Sequence, residues 1–193
     1  MLIESIVFAL ILGLILGGKV KNLEKVKLKK IYLVFIAFFI EYLAGVLINS
    51  GKISIRESIF TYTYNIQLLV YILLMIFFVY NFKYLGIKFL AFGSFLNFFV
   101  IQINNGFMPV DMYLALKLGY YDSVKYLESG KVFGHKILNT ANDTWIVLAD
   151  IIDIPPPYFF PKSISIGDIV IGFGVFFLLF LNMFYSENKN YPI

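Results

Sequence analysis

Five apolar runs set the terms for any fold this chain adopts: residues 2–17, 31–49, 59–80, 85–104 and 164–185. A helix crossing the hydrocarbon core of a bilayer needs about 20 mostly apolar residues, with every backbone polar group bonded inside the segment. The first run is short by that measure, and the other four are close to it. Only 15% of the residues are charged and 60% are hydrophobic, against about 25% charged in an ordinary soluble domain. Disorder is excluded. The expectation is an all-α polytopic membrane protein: one domain over 1–193, built as a five-helix transmembrane bundle with a structured extracytoplasmic segment. The first run lacks the pattern of a cleaved signal peptide, since Glu4 opens it and its lysines follow it.

Those lysines orient the bundle. The loop 18–30 holds Lys19, Lys21, Lys25, Lys27, Lys29 and Lys30 against Glu24 alone. Short basic loops stay on the cytoplasmic side. The N-terminus is then expected outside, the tail after Tyr185 inside, and segment 105–163 outside. The bilayer is the first partner this implies. A lipid-headgroup role for the basic loop is the weaker reading beside its use as a topology signal. Nucleic acid is excluded as a partner, because the basic charge lies beside the membrane rather than in a groove or along an exposed face.

The net charge is +4, with no cysteine and one histidine, His135. Thiolate nucleophiles, disulfides, iron–sulfur clusters and zinc sites built on cysteine are therefore excluded. No metal or cofactor is expected. A lone histidine in a polar loop reads as solvated or hydrogen-bonded rather than catalytic.

Segment 105–163 is too long for a plain connection. Pro109 and Asp111 open a short helix over 112–118, ended by Gly119. Asp122 caps a second over 123–128, ended by Gly130. Pro155, Pro156, Pro157 and Pro161 predict a stiff, extended approach to the last span. Ser163 or Ser165 caps that span, with Asp168 in its first turns. Trp145 and the tyrosines read as an interfacial belt.

Polar residues inside the runs are costly and face a bundle interior. Thr61, Thr63, Asn65 and Gln67 lie in the outer half of the third run. Asn97, Gln102, Asn104 and Asn105 lie in the outer half and mouth of the fourth, and Asp168 in the outer part of the fifth. This predicts a wet pocket open to the outside with segment 105–163 as its lid; hydrogen bonding between helices is the plainer alternative. Glu41 sits near the middle of the second run and reads either as a proton or ligand site or as a carboxyl bonded to a neighbouring polar group.

Asp150 and Asp168 stand 18 residues apart, one just before the last span and one just inside it. Two close carboxylates cannot both ionise. One then activates water while the other supplies a proton, the requirement of aspartic-type hydrolysis. Asp153 is a weaker second member. Read from spacing alone, the pair is more simply a helix cap and a solvated loop residue.

The stretch Asn104–Asn105–Gly106–Phe107–Met108–Pro109–Val110 resembles the Asn-Gly-Gly-x-Met-Pro-Val signature of a bacterial family of multi-spanning membrane proteins of unknown function. Leu148–Ala149–Asp150–Ile151–Ile152, the prolines, and Ser165–Ile166–Gly167–Asp168 resemble that family's second signature, with Ala149 in place of Gly and Thr144 where many members carry Arg. More distantly, the region from Ala149–Asp150 to Gly167–Asp168 is similar to the catalytic segment of lipoprotein signal peptidases. That resemblance implies Asp150 and Asp168 as a catalytic dyad, with Asn105–Gly106 loosely like the substrate cradle.

The expected site therefore has catalytic Asp150 and Asp168, with Asn104, Asn105, Gly106, Asn97, Gln102 and Asp153 as substrate-binding groups. The function expected is an aspartic-type membrane peptidase. The alternative is a non-enzymatic membrane protein holding a small molecule, lipid, peptide or partner subunit in the same pocket. A transporter ranks third, since no internal repeat suggests alternating access.

Overall fold

The computed structural model describes residues 1–50, 52–117, 121–155, 157–158 and 161–184. In chain order its elements are α1 (Leu2–Ile15), a 3-10 turn (Val20–Lys25), α2 (Tyr32–Ile48), α3 (Ile53–Tyr80), α4 (Leu85–Ile103), β1 (Met108–Val110), α5 (Met112–Lys117), α6 (Tyr121–Glu128), β2 (His135–Ile137), a second 3-10 turn (Ile146–Leu148), β3 (Ile152–Ile154), β4 (Lys162–Ile164) and α7 (Ile166–Met183). The chain is mostly helical. Helices α3, α4 and α7 are long and apolar enough to cross a membrane; α1 and α2 are apolar but shorter.

Every apolar run became a helix, and one helix outgrew its run. α3 starts at Ile53 rather than at 59, taking in Ser54, Arg56, Glu57 and Ser58. Apolarity marks the buried part of a helix and says little about a polar first turn. Here Ser58 Oγ donates to the Ser54 carbonyl at 2.8 Å, and the Arg56 guanidinium donates to the Ser129 carbonyl at 3.0 Å. Ser165 caps α7 with a full capping box: its Oγ accepts from Asp168 N at 3.0 Å, and Asp168 Oδ2 accepts from Ser165 N at 3.1 Å. Gly119 and the tail after 184 lie outside the described residues, as does Pro156.

The long helices pack as a row, α2–α3–α4–α7–α1. The α4–α7 seam is the tightest, because glycines meet across it. A Cβ on Gly93 would lie 2.6 Å from the Gly167 carbonyl oxygen and 2.8 Å from Ile171 N. A Cβ on Gly174 would lie 2.7 Å from Leu90 N and 2.9 Å from the Gly86 carbonyl oxygen. Glycines seven residues apart on both helices let two antiparallel backbones touch along one stripe. At the end of the row away from segment 105–163, the basic loop crosses as a strap. Lys19 N donates to the Met183 carbonyl at 2.9 Å. Asn81, buried, accepts from Lys29 N at 2.7 Å and donates to the Lys29 carbonyl at 2.8 Å.

Segment 105–163 carries its two short helices together with four short strands, which an all-α class does not include. β1 pairs in parallel with β2, Met108 opposite His135 and Val110 opposite Ile137. β3 and β4 pair antiparallel, with Asp153 opposite Ser163. The β3–β4 pairing doubles the chain back before it enters α7.

Candidate functional site

β1 organises the chemistry by taking a partner on each side. On one side Met108 N donates to the Gly134 carbonyl at 2.8 Å and Leu138 N to the Val110 carbonyl at 2.9 Å. On the other, Asp150 N donates to the Pro109 carbonyl and Asp111 N to the Asp150 carbonyl, both at 3.0 Å. Paired to opposite flanks of β1, His135 and Asp150 stand with that strand between their backbones, and only their side chains approach across it. The His135 Nε2 then lies 3.9 Å from Asp150 Oδ2, while its Nδ1 is 2.9 Å from the Phe133 carbonyl.

Beneath this strand pair is a cavity of about 580 Å³. Its polar lining is His135, Asp150, Lys162 and Ser163 from the segment, Glu41 from α2, Ser94 and Asn97 from α4, and Asp168 from α7. Asp168 Oδ1 accepts from Asn97 Nδ2 at 2.9 Å. Ser165 Oγ donates to Asn97 Oδ1 at 2.9 Å, so Asn97 ties the cap of α7 to α4. Two N–H donors on one carboxyl are the partner set of a carboxylate. Lys162 is paired with Glu4, which also accepts from Tyr158. The side chain of Gln67 reaches the Glu41 carboxyl.

Asp150 is the anomalous group. It is 7% exposed, and its Oδ1 is buried with no hydrogen-bond partner among the described residues. Burial first, and the charge of Asp168 second, push its carboxyl up to about 8 from an ordinary 3.8. The folded state therefore holds this proton more tightly than the unfolded state between those values. As pH rises through the window, the unfolded chain releases the proton first and stability falls, by up to about 1.4 kcal/mol per pH unit. Asp150→Asn should flatten that slope. The check is the thermal midpoint in detergent at pH 5 and pH 8: the unsubstituted protein should lose more than Asp150→Asn, and parallel losses would refute the assignment.

Of the residues expected at the site, Asn97, Asp150 and Asp168 line the cavity. The others stand elsewhere. Asn104 is buried and donates to the Thr144 carbonyl at 3.0 Å while accepting from Thr144 N at 3.1 Å, which anchors the segment to the end of α4. Asn105 is exposed in the left-handed region, at φ 60°. Gly106, at φ 87°, has room for no Cβ against the Tyr64 backbone. The Asn105–Gly106 pair therefore turns the chain from α4 into β1. Asp153 accepts from Ser163 Oγ across the hairpin. Gln102 keeps both side-chain polar atoms buried and without a partner among the described residues. Asn65 is exposed. Sequence reasoning did not place His135, Glu41 and Lys162 together. Nothing local signals that meeting, which depends on strand pairing and on the Glu4 contact across the fold. Among the described residues no three His, Asp or Glu side chains gather as a metal site.

Comparison with known proteins supplies kinship without an activity. The chain is 30% identical over 182 residues to an uncharacterised protein of Thermotoga maritima, covering 94% of this chain and 91% of that one. No solved structure matches. Residues 25–180 match the family of unknown function DUF5317, and the chain belongs to that family.

Proposed function

We propose that this chain is a five-span membrane protein whose cavity performs aspartic-type hydrolysis on a membrane-borne peptide. The observation that carries this reading is the unequal pair of carboxyls in one cavity: Asp168 with two N–H donors, and Asp150 buried and holding a proton at neutral pH. In the reaction, Asp168 takes a proton from water as the water oxygen attacks the scissile carbonyl carbon. Asp150 gives its proton to the carbonyl oxygen. As the tetrahedral intermediate collapses, the C–N bond breaks and the amine leaves with the proton from Asp168. Asp150 regains a proton from an intermediate hydroxyl. The products are one carboxylic acid and one amine.

The test compares the membrane proteins of cells making the unsubstituted chain or Asp150→Asn at equal levels. Accumulation of an unprocessed membrane protein in the variant is expected. Identical processing patterns would overturn the reading.

A second reading has its own support. Both Asp168 oxygens already have structural partners, Oδ2 in the α7 cap and Oδ1 at the Asn97 amide, as they would in a non-enzymatic membrane protein that binds a ligand, lipid or partner in the cavity. Under that reading Asp168→Asn keeps the cap and changes little.

The span count rests on α1 and α2 being apolar all round, with Phe8, Phe35, Phe39 and Tyr42 exposed. Such side chains need hydrocarbon around them. The lysines of the strap support a topology with the N-terminus and segment 105–163 outside and the strap in the cytoplasm. The chain has no cysteine, so single-cysteine labelling is clean. A membrane-impermeant maleimide should label Tyr113→Cys in intact cells and Lys21→Cys only after permeabilisation. The reverse pattern would overturn the topology.

A further inference from the structure

The cavity has two chemically different ends. Asp150, Asp168 and Glu41 stand at one. From Glu41 to Val34, from Asp168 to Val175, and from Asn97 to Leu90 is seven residues each, and all six line the same cavity. At 1.5 Å per residue the lower part therefore runs about 10 Å along three helices. That is roughly two-thirds of a leaflet, taking half of a 30 Å hydrocarbon core. No charged side chain lines it among the described residues; Leu74 and Phe78 of α3 complete the wall.

The slot also has a side entrance. α2 and α7 both line it, yet α2 packs along α3, and α7 along α4 and α1. Among the described residues the two make no extended contact with each other.

We propose that this slot takes the single hydrocarbon tail of a membrane amphiphile, entering sideways between α2 and α7, with a cationic or uncharged hydrogen-bonding head at the acidic end. The occupant follows from the surroundings and from charge. Dry apolar cavities bind apolar ligands rather than water, and the medium beside an α2–α7 gap is lipid hydrocarbon. At the acidic end the two nearby cations, Lys162 and the Met1 ammonium, both pair with Glu4, and the buried Asp150 Oδ1 has no partner among the described residues. An anionic head would meet the charge of Asp168 there. The inference rests on the cavity of the preceding reading and not on its hydrolytic step.

The test uses purified protein in neutral-lipid vesicles at pH 7. The probes are dodecylamine and dodecanoic acid, each carrying a diazirine at the tail end. The amine should label peptides around Val34 and Val175, about tenfold more than the acid, a 1.4 kcal/mol preference. Val175→Trp should cut dodecylamine labelling about tenfold and leave hexylamine labelling unchanged. If Val175→Trp does not fold, Val34→Phe carries the same expectation, with helicity checked by circular dichroism. Equal labelling by amine and acid, labelling elsewhere, or indifference to filling the slot would overturn the proposal. The amine has no scissile bond. Failed labelling therefore sinks the tail site and leaves the hydrolase reading intact, and labelling without any processing does the reverse.

Discussion

Gly93→Ile should collapse the fold around the site. A Cβ at Gly93 meets backbone atoms of α7 at 2.6 and 2.8 Å, and backbone cannot rotate away as a flexible side chain can. Overpacking of this kind costs about 3 kcal/mol, well above the gain of about 1 kcal/mol from replacing glycine in a helix. The damage also reaches chemistry. α4 carries Asn97, whose amide bonds both Asp168 and Ser165, so parting α4 from α7 breaks the contact that orients the Asp168 carboxyl. The thermal midpoint in detergent should fall by many degrees. Gly45→Ala, in α2, is the matched control, since nothing lies within 4 Å of its Cβ; it should leave the midpoint unchanged or raise it. Equal effects of the two would show that the glycine seam does not hold the helices.

The second large effect belongs to the carboxyls. Under the hydrolase reading, Asp150→Asn and Asp168→Asn should each lower processing by about 10⁴-fold, and the double variant should be little worse, because residues acting as a unit are grossly non-additive. Folding is the necessary control. Asparagine at 168 can still accept from the Ser165 amide, so α7 stays capped; its Nδ2 then faces Asn97 Nδ2, so the Asn97 amide must turn to offer its oxygen, at a cost of about 1 kcal/mol. At 150 the loss of a buried ionisable group removes the destabilisation that the native chain acquires at high pH. Each variant is therefore well folded and, if the dyad acts, inert. The unsubstituted chain should also lose processing above pH 8, as Asp150 gives up its proton. Processing that survives in Asp168→Asn favours the binding protein.

Much of the helical frame was legible in the sequence because each long helix is announced by its own apolar run, and the Ser165 cap by a local Ser-x-x-Asp spacing. Asn97 and Asp168 stood out by the cost of polar groups in apolar surroundings, and Asp150 by its spacing from Asp168 and the resemblance of that stretch; all three line the cavity. What escaped depends on contacts far apart in the chain. Three-residue strands such as β1 carry too little periodicity to announce themselves, yet β1 brings His135 to Asp150. Glu41 stood out as a lone carboxyl, but its neighbours come from three other helices. The Asn104–Val110 stretch looked like a ligand cradle and instead turns and anchors the chain, a role that polar side chains and a left-handed glycine fill equally well.

The row order of the helices bears on how the molecule is made. α1 leaves the ribosome first, yet it packs along α7, the last helix to emerge, while α2 settles at the opposite end against α3. Of the described helices α1 is made first and its main partner α7 last, so α1 waits for that partner through the synthesis of everything between. The strap shares the delay, because the Lys19 amide needs the carbonyl of Met183. Assembly is thus gated by the arrival of α7: a nascent chain arrested before it has both the glycine seam and the resting place of α1 missing, and it presents that unfinished side to quality-control proteases.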